Sequence, residues 1–139
     1  MVLLIDTNVV IDYSLVRKPY YDDVLKLPDY CDKLKIQTYI AFHSVSVIWH
    51  VLRKHFPPQE RRPILSEITE LFTVTAAPHS AVVDAVRNES FPDFEDCLQE
   101  KCALQVNADY IVTRNVKDYE TSQVKAVTPA EMIEIISNS

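Results

Sequence analysis

The chain contains no glycine among its 139 residues. Glycine-rich loops cradle phosphates in P-loop and dinucleotide-binding proteins, because glycine lets the backbone approach the phosphate closely. The absence of glycine therefore argues against both kinds of site. A phosphate bound by this chain must instead meet a metal ion, side chains or the N-terminus of a helix.

Cysteines and long apolar runs are also scarce. The three cysteines, Cys31, Cys97 and Cys102, are odd in number and show no C-x-x-C spacing, so neither a disulfide framework nor a zinc ribbon is indicated. No apolar run approaches the roughly 20 residues that a membrane span needs. The opening residues MVLLIDTN lack the basic start and long apolar stretch of a secretory signal. We therefore expect a cytoplasmic protein without a membrane segment.

Basic residues are outnumbered, with 14 Lys and Arg against 20 Asp and Glu and a net charge of -6. This balance argues against a broad basic surface for nucleic acid. It does not exclude nucleic-acid chemistry, because a site built to hold divalent cations is rich in carboxylates and the metal reverses the local charge. The content of 47% hydrophobic and 24% charged residues is typical of soluble globular proteins. The length predicts one domain over residues 1–139.

Short apolar, β-branched segments alternate with segments of helical periodicity. Strands are predicted over residues 2–5, 36–42, 72–75, 110–113 and 125–127. Helices are predicted over about 8–13, 21–35, 43–56, 60–71, 80–88, 93–107 and 131–136. Strands separated by helices form parallel sheets through right-handed crossovers, so we expect an α/β fold, a three-layer α/β/α sandwich with a short, mainly parallel sheet.

Several helix ends carry capping signals. Asn8 is the expected N-cap of the first helix, and Pro28 is expected to interrupt the second. Asn107 stands where a helix often ends in the left-handed conformation, a position that glycine usually takes. The segment Thr128-Pro129-Ala130-Glu131 is a capping box with proline at the first helical position.

Acidic side chains gather near predicted carboxyl ends of strands, where ligands bind in parallel α/β sheets. Asp6 closes the first strand, and burying a carboxylate there is costly unless it has a partner. Two more groups flank the fourth strand: Asp93, Glu95 and Asp96 before it, and Arg114, Asn115 and Asp118 after it. Three segments can therefore converge on one acidic pocket, and oxygen-only ligands suit Mg²⁺ or Mn²⁺.

Other charged residues have plainer interpretations. His43 and His50 lie seven residues apart, without the dense spacing of a zinc site. Asp12 and the pair Asp22-Asp23 are expected to be exposed helical charges. A basic cluster surrounds the Pro57-Pro58 turn and is either a solvated surface or a contact for a phosphate backbone. It consists of Arg53, Lys54, His55, Arg61 and Arg62.

Three motifs carry a family resemblance: LLIDTNVVID at the start, DFEDCLQEKCALQVNADYIVTRNVKDY in the last third, and VTPAEMIEII near the end. With them the sequence resembles the PIN-domain family, metal-dependent nucleases that include toxins of prokaryotic toxin-antitoxin pairs. Order and spacing agree over essentially the whole chain, although the middle matches only loosely. The resemblance implies a Mg²⁺- or Mn²⁺-dependent endoribonuclease that hydrolyses RNA phosphodiester bonds. The expected partners are RNA, a cognate antitoxin and a second copy of the chain in a homodimer.

The resemblance also assigns residues. It makes Asp6 the first metal ligand and Asn8 a polar neighbour that organises the site. Asp96 corresponds to the acid on the helix before the fourth strand and is expected to be a direct metal ligand. Asp118 supplies a further carboxylate, as a direct or water-mediated metal ligand. Asp93 is a reserve metal ligand. The weaker expectation for RNA binding falls on four residues of the basic cluster: Arg53, Lys54, Arg61 and Arg62.

Two positions depart from the family pattern. Asn115 stands where many members have Asp, and it is expected to act in catalysis with Asp6, Asp96 and Asp118, as an orienting group. Many members carry a Glu on the central helix, for which His50 is the nearest counterpart in this sequence. These changes keep open an alternative function, a catalytically weak or inactive PIN-like module that binds RNA or a protein partner. A phosphate-accepting receiver domain is disfavoured, because the region FTVTAAPHS has no Asp at the end of the third strand.

Overall fold

A computed structural model of the chain describes residues 1–138, in which five strands form one parallel sheet and seven α-helices pack around it. The strands are β1 (Val2–Ile5), β2 (Gln37–Ala41), β3 (Thr73–Thr75), β4 (Tyr110–Val112) and β5 (Lys125–Val127). The helices are α1 (Thr7–Leu15), α2 (Tyr21–Lys33), α3 (Phe42–His55), α4 (Pro58–Leu71), α5 (His79–Arg87), α6 (Phe94–Gln105) and α7 (Pro129–Ser137). A short 3-10 helix, Val116–Tyr119, follows β4.

The strand order, β3-β2-β1-β4-β5, places β1 at the centre of the sheet. Leu3 of β1 lies opposite Thr38 of β2 on one side and Tyr110 of β4 on the other. The chain builds outward from β1 to β3 and then crosses back to β4, so the order reverses between β1 and β4. Ligands bind beyond the carboxyl ends of the strands at such a reversal. Asp6 and Thr113 immediately follow these two strands.

Alternate side chains of the central strand enter two separate cores. Leu3 and Ile5 join a core formed with α1, α2, α3, α4 and α7. Leu4 faces the opposite core, formed with α5 and α6. This two-faced burial explains why the central strand β1 is apolar throughout, and the helices on both faces confirm the expected three-layer α/β/α sandwich.

Within residues 1–138, no helix combines the length and hydropathy that a membrane crossing requires.

Two expectations about helix ends are confirmed. Asn107 has a φ of 53°, so it does finish α6 in the left-handed region. Thr128 Oγ1 accepts a hydrogen bond from the Glu131 backbone N–H at 3.1 Å, and Glu131 Oε1 accepts one from the Thr128 N–H at 3.2 Å. This reciprocal pair is the predicted capping box at the start of α7.

Two other local expectations are wrong. The N-cap of α1 is Asp6 rather than Asn8, because the Asp6 carboxylate accepts a hydrogen bond from the Thr7 N–H at 2.7 Å. Pro28 does not interrupt α2, which continues from Tyr21 to Lys33. The buried side chains Val24, Leu27 and Cys31 recur at helical spacing along α2. Packing of this continuous face compensates for the backbone hydrogen bond that proline cannot make.

Candidate functional site

Asp6 lies at the carboxyl end of β1 with only 4% of its surface exposed. Its Oδ2 accepts hydrogen bonds from the Thr113 hydroxyl at 2.8 Å and from the Tyr119 hydroxyl at 3.1 Å. Burial raises the pKa of Asp6, although the hydrogen bonds from Thr113 and Tyr119 act in the opposite direction. The fold therefore holds this carboxylate in one orientation, and its burial makes the ionised form energetically costly.

Asp96 projects from the first turn of α6 toward the same point. Its Oδ1 accepts a hydrogen bond from the Tyr119 hydroxyl at 3.3 Å. Burial raises the pKa of Asp96 to about 7, and the negative charges of Asp6, Asp93 and Asp118 add to the effect. Asp6 and Asp96, which we call the acid pair, thus meet across one hydroxyl group, as predicted from their places in the sequence.

The other predicted acids surround the acid pair at greater distance. Asp93 is the N-cap of α6, and its Oδ1 accepts the Asp96 backbone N–H at 3.0 Å. Asp118 is half-buried on the 3-10 helix and contributes negative charge at Asp96. Over residues 1–138, no three acidic, histidine or cysteine side chains stand close enough to enclose a metal ion. The acid pair is therefore the part of the predicted set whose carboxylates share one hydrogen-bond donor, the Tyr119 hydroxyl.

The loops after β1 and β4 are held together by Asn8. Its Nδ2 lies 3.4 Å from both Asp6 Oδ2 and Thr113 Oγ1, and its Oδ1 accepts the Arg114 backbone N–H at 3.4 Å. This agrees with the expectation of a polar neighbour that organises the site. Asn115 is exposed and contacts the centre through its backbone N–H, which donates to Thr113 Oγ1 at 3.1 Å.

A pocket of about 220 Å³ opens beside the acid pair. Its walls include Glu95 from α6 and Val47 from α3. His50, the expected counterpart of the family's central-helix Glu, is exposed instead. It lies one turn farther along α3 from the sheet edge, about 4.5 Å of helix rise. The α3 residue that faces the pocket is therefore Val47 rather than His50.

A buried polar network behind the pocket was missed by the sequence reasoning. The Thr7 and Ser44 hydroxyls form a hydrogen bond, and Gln99 Nε2 donates to them at 2.9 and 2.8 Å, respectively. The network ties α1, α3 and α6 together beneath the pocket. A signal was present, because Gln99 lies three residues after Asp96 and hence on the same face of α6.

Tyr119 was also missed. It directly follows Asp118 in the motif NVKDY, where a polar segment gave no reason to expect a buried ring. Only 4% of its surface is exposed, and its ring packs edge-on against Phe91 with centroids 6.0 Å apart. Its hydroxyl is the group that touches both members of the acid pair.

Asp12 is not the exposed helical charge that its sequence position predicted. It is fully buried on α1 and forms an ion pair with Arg114, with Nε and Oδ2 2.8 Å apart. The Arg114 guanidinium also lies over the Tyr20 ring at 4.3 Å. Burial raises the pKa of Asp12, while the charge of Arg114 opposes that change. Arg114 therefore neutralises Asp12 rather than extending toward the acid pair.

The basic cluster consists of two differently engaged groups. Arg53 and Lys54 are exposed in the last turn of α3. Arg61 Nε donates to the Phe56 carbonyl at 2.8 Å, and the Arg62 guanidinium lies 5.7 Å from the centre of the Trp49 ring. The second group thus stabilises the junction of α3 and α4, whereas the first remains available to a ligand.

Comparison with known proteins places this geometry in a family. A family model described as PIN domain matches residues 2–117. No curated protein matches the chain. Among solved structures, a chain of VapBC2 from Rickettsia felis, bound to a promoter DNA fragment, has a TM-score of 0.68 at 13% identity, covering 92% of this chain and 98% of that chain. A chain of FitAcB from Neisseria gonorrhoeae has a TM-score of 0.64 at 18% identity, covering 94% and 99%.

A third solved structure extends the likeness to the full length of both chains. PAE2754 from Pyrobaculum aerophilum has a TM-score of 0.65 at 14% identity, covering 100% of this chain and 100% of that one. At these identities the structures share a fold, and the family model adds agreement in sequence over most of the chain. The sheet order, the acid pair at its reversal point and the family match lead to one conclusion: the chain belongs to the PIN-domain family.

Proposed function

We propose that this protein is a metal-dependent endoribonuclease that hydrolyses RNA phosphodiester bonds at the acid pair. The observation that carries the proposal is the convergence of Asp6 and Asp96 on one hydroxyl at the point where the strand order reverses. Burial raises the pKa of Asp96 there to about 7, and the like charges of Asp6, Asp93 and Asp118 add to the effect. A site with this unbalanced negative charge favours a cation.

The donor chemistry fits Mg²⁺ or Mn²⁺. Mg²⁺ is commonly held by one or two carboxylates and keeps several waters, which leaves positions for substrate phosphate oxygens. The acid pair supplies two carboxylates, and the adjoining pocket of about 220 Å³ exceeds the roughly 30 Å³ that each water occupies. We assign Asp6 and Asp96 as direct ligands and Asp118 as a ligand through water. Asp93 is engaged as the cap of α6.

The chain's own residues orient the reacting groups. A bound divalent cation would lower the pKa of a water and neutralise charge that develops on the scissile phosphate. The Thr7 N–H and the Thr113 hydroxyl fix the two oxygens of Asp6, at 2.7 and 2.8 Å. We assign the exposed Asn115, whose backbone N–H donates to Thr113 Oγ1, as the group that orients an incoming phosphate or water.

The exposed cations of the basic cluster support a nucleic-acid substrate, and membership of the PIN-domain family favours RNA over DNA. Arg53 and Lys54 extend from the end of α3, the helix whose Val47 lines the pocket. Contacts of such side chains with phosphates position nucleic acid without reading its sequence. A cognate antitoxin is the proposed protein partner, because structural neighbours include VapBC and FitAB complexes, two of them bound to DNA.

Cleavage of labelled single-stranded RNA tests the proposal. The wild type should cleave with Mg²⁺ or Mn²⁺ and stop when EDTA is added. Asp96→Asn should abolish cleavage, whereas Asp84→Asn, which removes an exposed charge on α5, should leave it intact. Equal cleavage in EDTA, or full activity of the Asp96 variant, would refute the assignment. DNA of the same sequence, included in parallel, separates ribonuclease from general nuclease activity.

One observation favours a second candidate, a catalytically inactive PIN module that binds RNA. The pocket wall on α3 presents the apolar Val47 rather than an acid. This candidate predicts RNA binding without turnover. Cleavage that depends on a divalent cation excludes it, and RNA binding without cleavage under any cation supports it.

A further inference from the structure

The Tyr119 hydroxyl occupies the space between the two carboxylates of the acid pair. It lies 3.1 Å from Asp6 Oδ2 and 3.3 Å from Asp96 Oδ1. The ring is almost fully buried against Phe91, and the residue ends a 3-10 helix fixed to the end of β4. The hydroxyl is therefore held at this position by the packing of the fold.

The single proton of the Tyr119 hydroxyl is shared between two carboxylate acceptors, Asp6 and Asp96, which repel each other. Carboxylates that share a site cannot both ionise without a compensating positive group. A neutral hydroxyl compensates only partly, since it carries one proton and no net charge. A cation that is coordinated by Asp6 Oδ2 and Asp96 Oδ1 would compete with the Tyr119 hydroxyl for these oxygens. Asp6 Oδ2 also accepts the Thr113 hydroxyl at 2.8 Å, so its lone pairs are already used.

We propose that Tyr119 is a positioning residue that sets the cation affinity of the acid pair. Its hydroxyl holds Asp6 and Asp96 in register before a cation binds, and it gives up these hydrogen bonds when the cation arrives. Loss of the hydrogen bonds offsets part of the free energy of cation binding. The inference rests on the proposed metal site and adds that the Tyr119 hydroxyl keeps the cation affinity of this site moderate.

The test compares Tyr119→Phe with a matched variant of the full chain. Tyr119→Phe keeps the buried ring and removes only the hydroxyl. Tyr13→Phe is the control, because Tyr13 also donates to a carboxylate, Glu67 Oε1 at 3.1 Å, in an exposed setting outside the site. Mn²⁺ affinity is measured by isothermal titration calorimetry, and the melting temperature is measured in EDTA, so neither readout depends on RNA cleavage.

Tyr119→Phe is expected to bind Mn²⁺ about tenfold more tightly than the wild type, the effect of one hydrogen bond to a charged group. It should also melt at a lower temperature in EDTA, because the carboxylates lose their shared donor. Tyr13→Phe should leave Mn²⁺ affinity unchanged. Unchanged or weaker Mn²⁺ binding by Tyr119→Phe, with normal binding by the wild type, overturns this inference and leaves the metal site standing. Absence of Mn²⁺ binding by the wild type overturns both.

Discussion

Replacing Asp96 with Asn separates a metal ligand from a helix-capping charge by the sign of a stability change. The substitution is nearly isosteric, and the amide oxygen can still accept the Tyr119 hydroxyl. It removes one negative charge from a site where Asp6, Asp93 and Asp118 already surround it. Without a cation, the wild type should therefore be less stable than the variant at a pH where Asp96 is ionised.

The magnitude follows from the ionisation of Asp96. Its pKa rises from the ordinary value of 3.8 to about 7. Since one pKa unit is ~1.4 kcal/mol, ionising this group in the folded protein costs at most about 4 kcal/mol. Solvent reaches the half-buried side chain, and screening reduces the cost to about 1 to 2 kcal/mol. The lost interaction with the N-terminus of α6 opposes this by about 0.3 to 1 kcal/mol.

Thermal melts at pH 8 measure the difference. Asp96→Asn should melt about 2 to 5 °C above the wild type in EDTA, the shift that a net gain near 1 kcal/mol gives at this chain length. Mn²⁺ should raise the melting temperature of the wild type, because the folded state alone binds it. The variant should not respond. Asp84→Asn, which changes an exposed charge on α5, should follow the wild type in both buffers.

The pH dependence supplies an independent check. Because the folded pKa of Asp96 lies above its unfolded value, the folded state binds the proton more tightly. The stability contribution is therefore fully present below about pH 4 and is lost as the pH rises through about 7. In EDTA, the gap between Asp96→Asn and the wild type should widen over that range. If the variant melts lower at pH 8 and both proteins gain equally from Mn²⁺, Asp96 serves only the helix dipole and the site assignment fails.

Three further changes test other parts of the structure. Replacing both Arg53 and Lys54 with Gln should reduce the slope of log affinity for single-stranded RNA against log salt concentration by about 1.4. Binding is measured by fluorescence anisotropy in EDTA, and an unchanged slope would show that these cations do not contact RNA. Arg114→Gln should destabilise the fold by about 3 kcal/mol in urea melts, since it leaves the fully buried Asp12 unpaired; an unchanged midpoint would show that the ion pair contributes nothing. Val47→Glu should lower the melting temperature in EDTA and strengthen Mn²⁺ binding, measured by calorimetry; no effect on either would remove α3 from the cation's surroundings.

The central features of the fold could be predicted because each has a local cause. Strands buried on both faces must be apolar throughout, so β1 stands out in the sequence and its end is marked by Asp6. The capping box at Thr128 and the left-handed Asn107 depend on contacts within a few residues. The meeting of Asp6 with Asp96 then follows from a general rule about the edges of parallel sheets.

The features that were missed depend on contacts between distant segments. Asp12 is a charged residue in a helix. Nothing near it in the sequence shows that it forms an ion pair with Arg114, which lies about 100 residues later, just after β4. Tyr119 follows a polar loop, and its burial depends on Phe91 from another segment. Whether Val47 or His50 faces the pocket depends on where α3 begins at the sheet edge, because the two residues are about one helical turn apart.

The contacts around the acid pair give a reason for moderate cation affinity that differs from the reason given by the sequence. The sequence directed attention to Asn115, whose side chain is exposed at the margin. The structure instead places an apolar residue, Val47, on the α3 wall and a neutral donor, Tyr119, between the two carboxylates. Removing the Tyr119 hydroxyl and adding a carboxylate at Val47 should therefore both strengthen cation binding, but for different reasons. The first removes a competitor for the existing oxygens, whereas the second adds an oxygen ligand, so the two changes should be close to additive unless the new carboxylate itself contacts the hydroxyl.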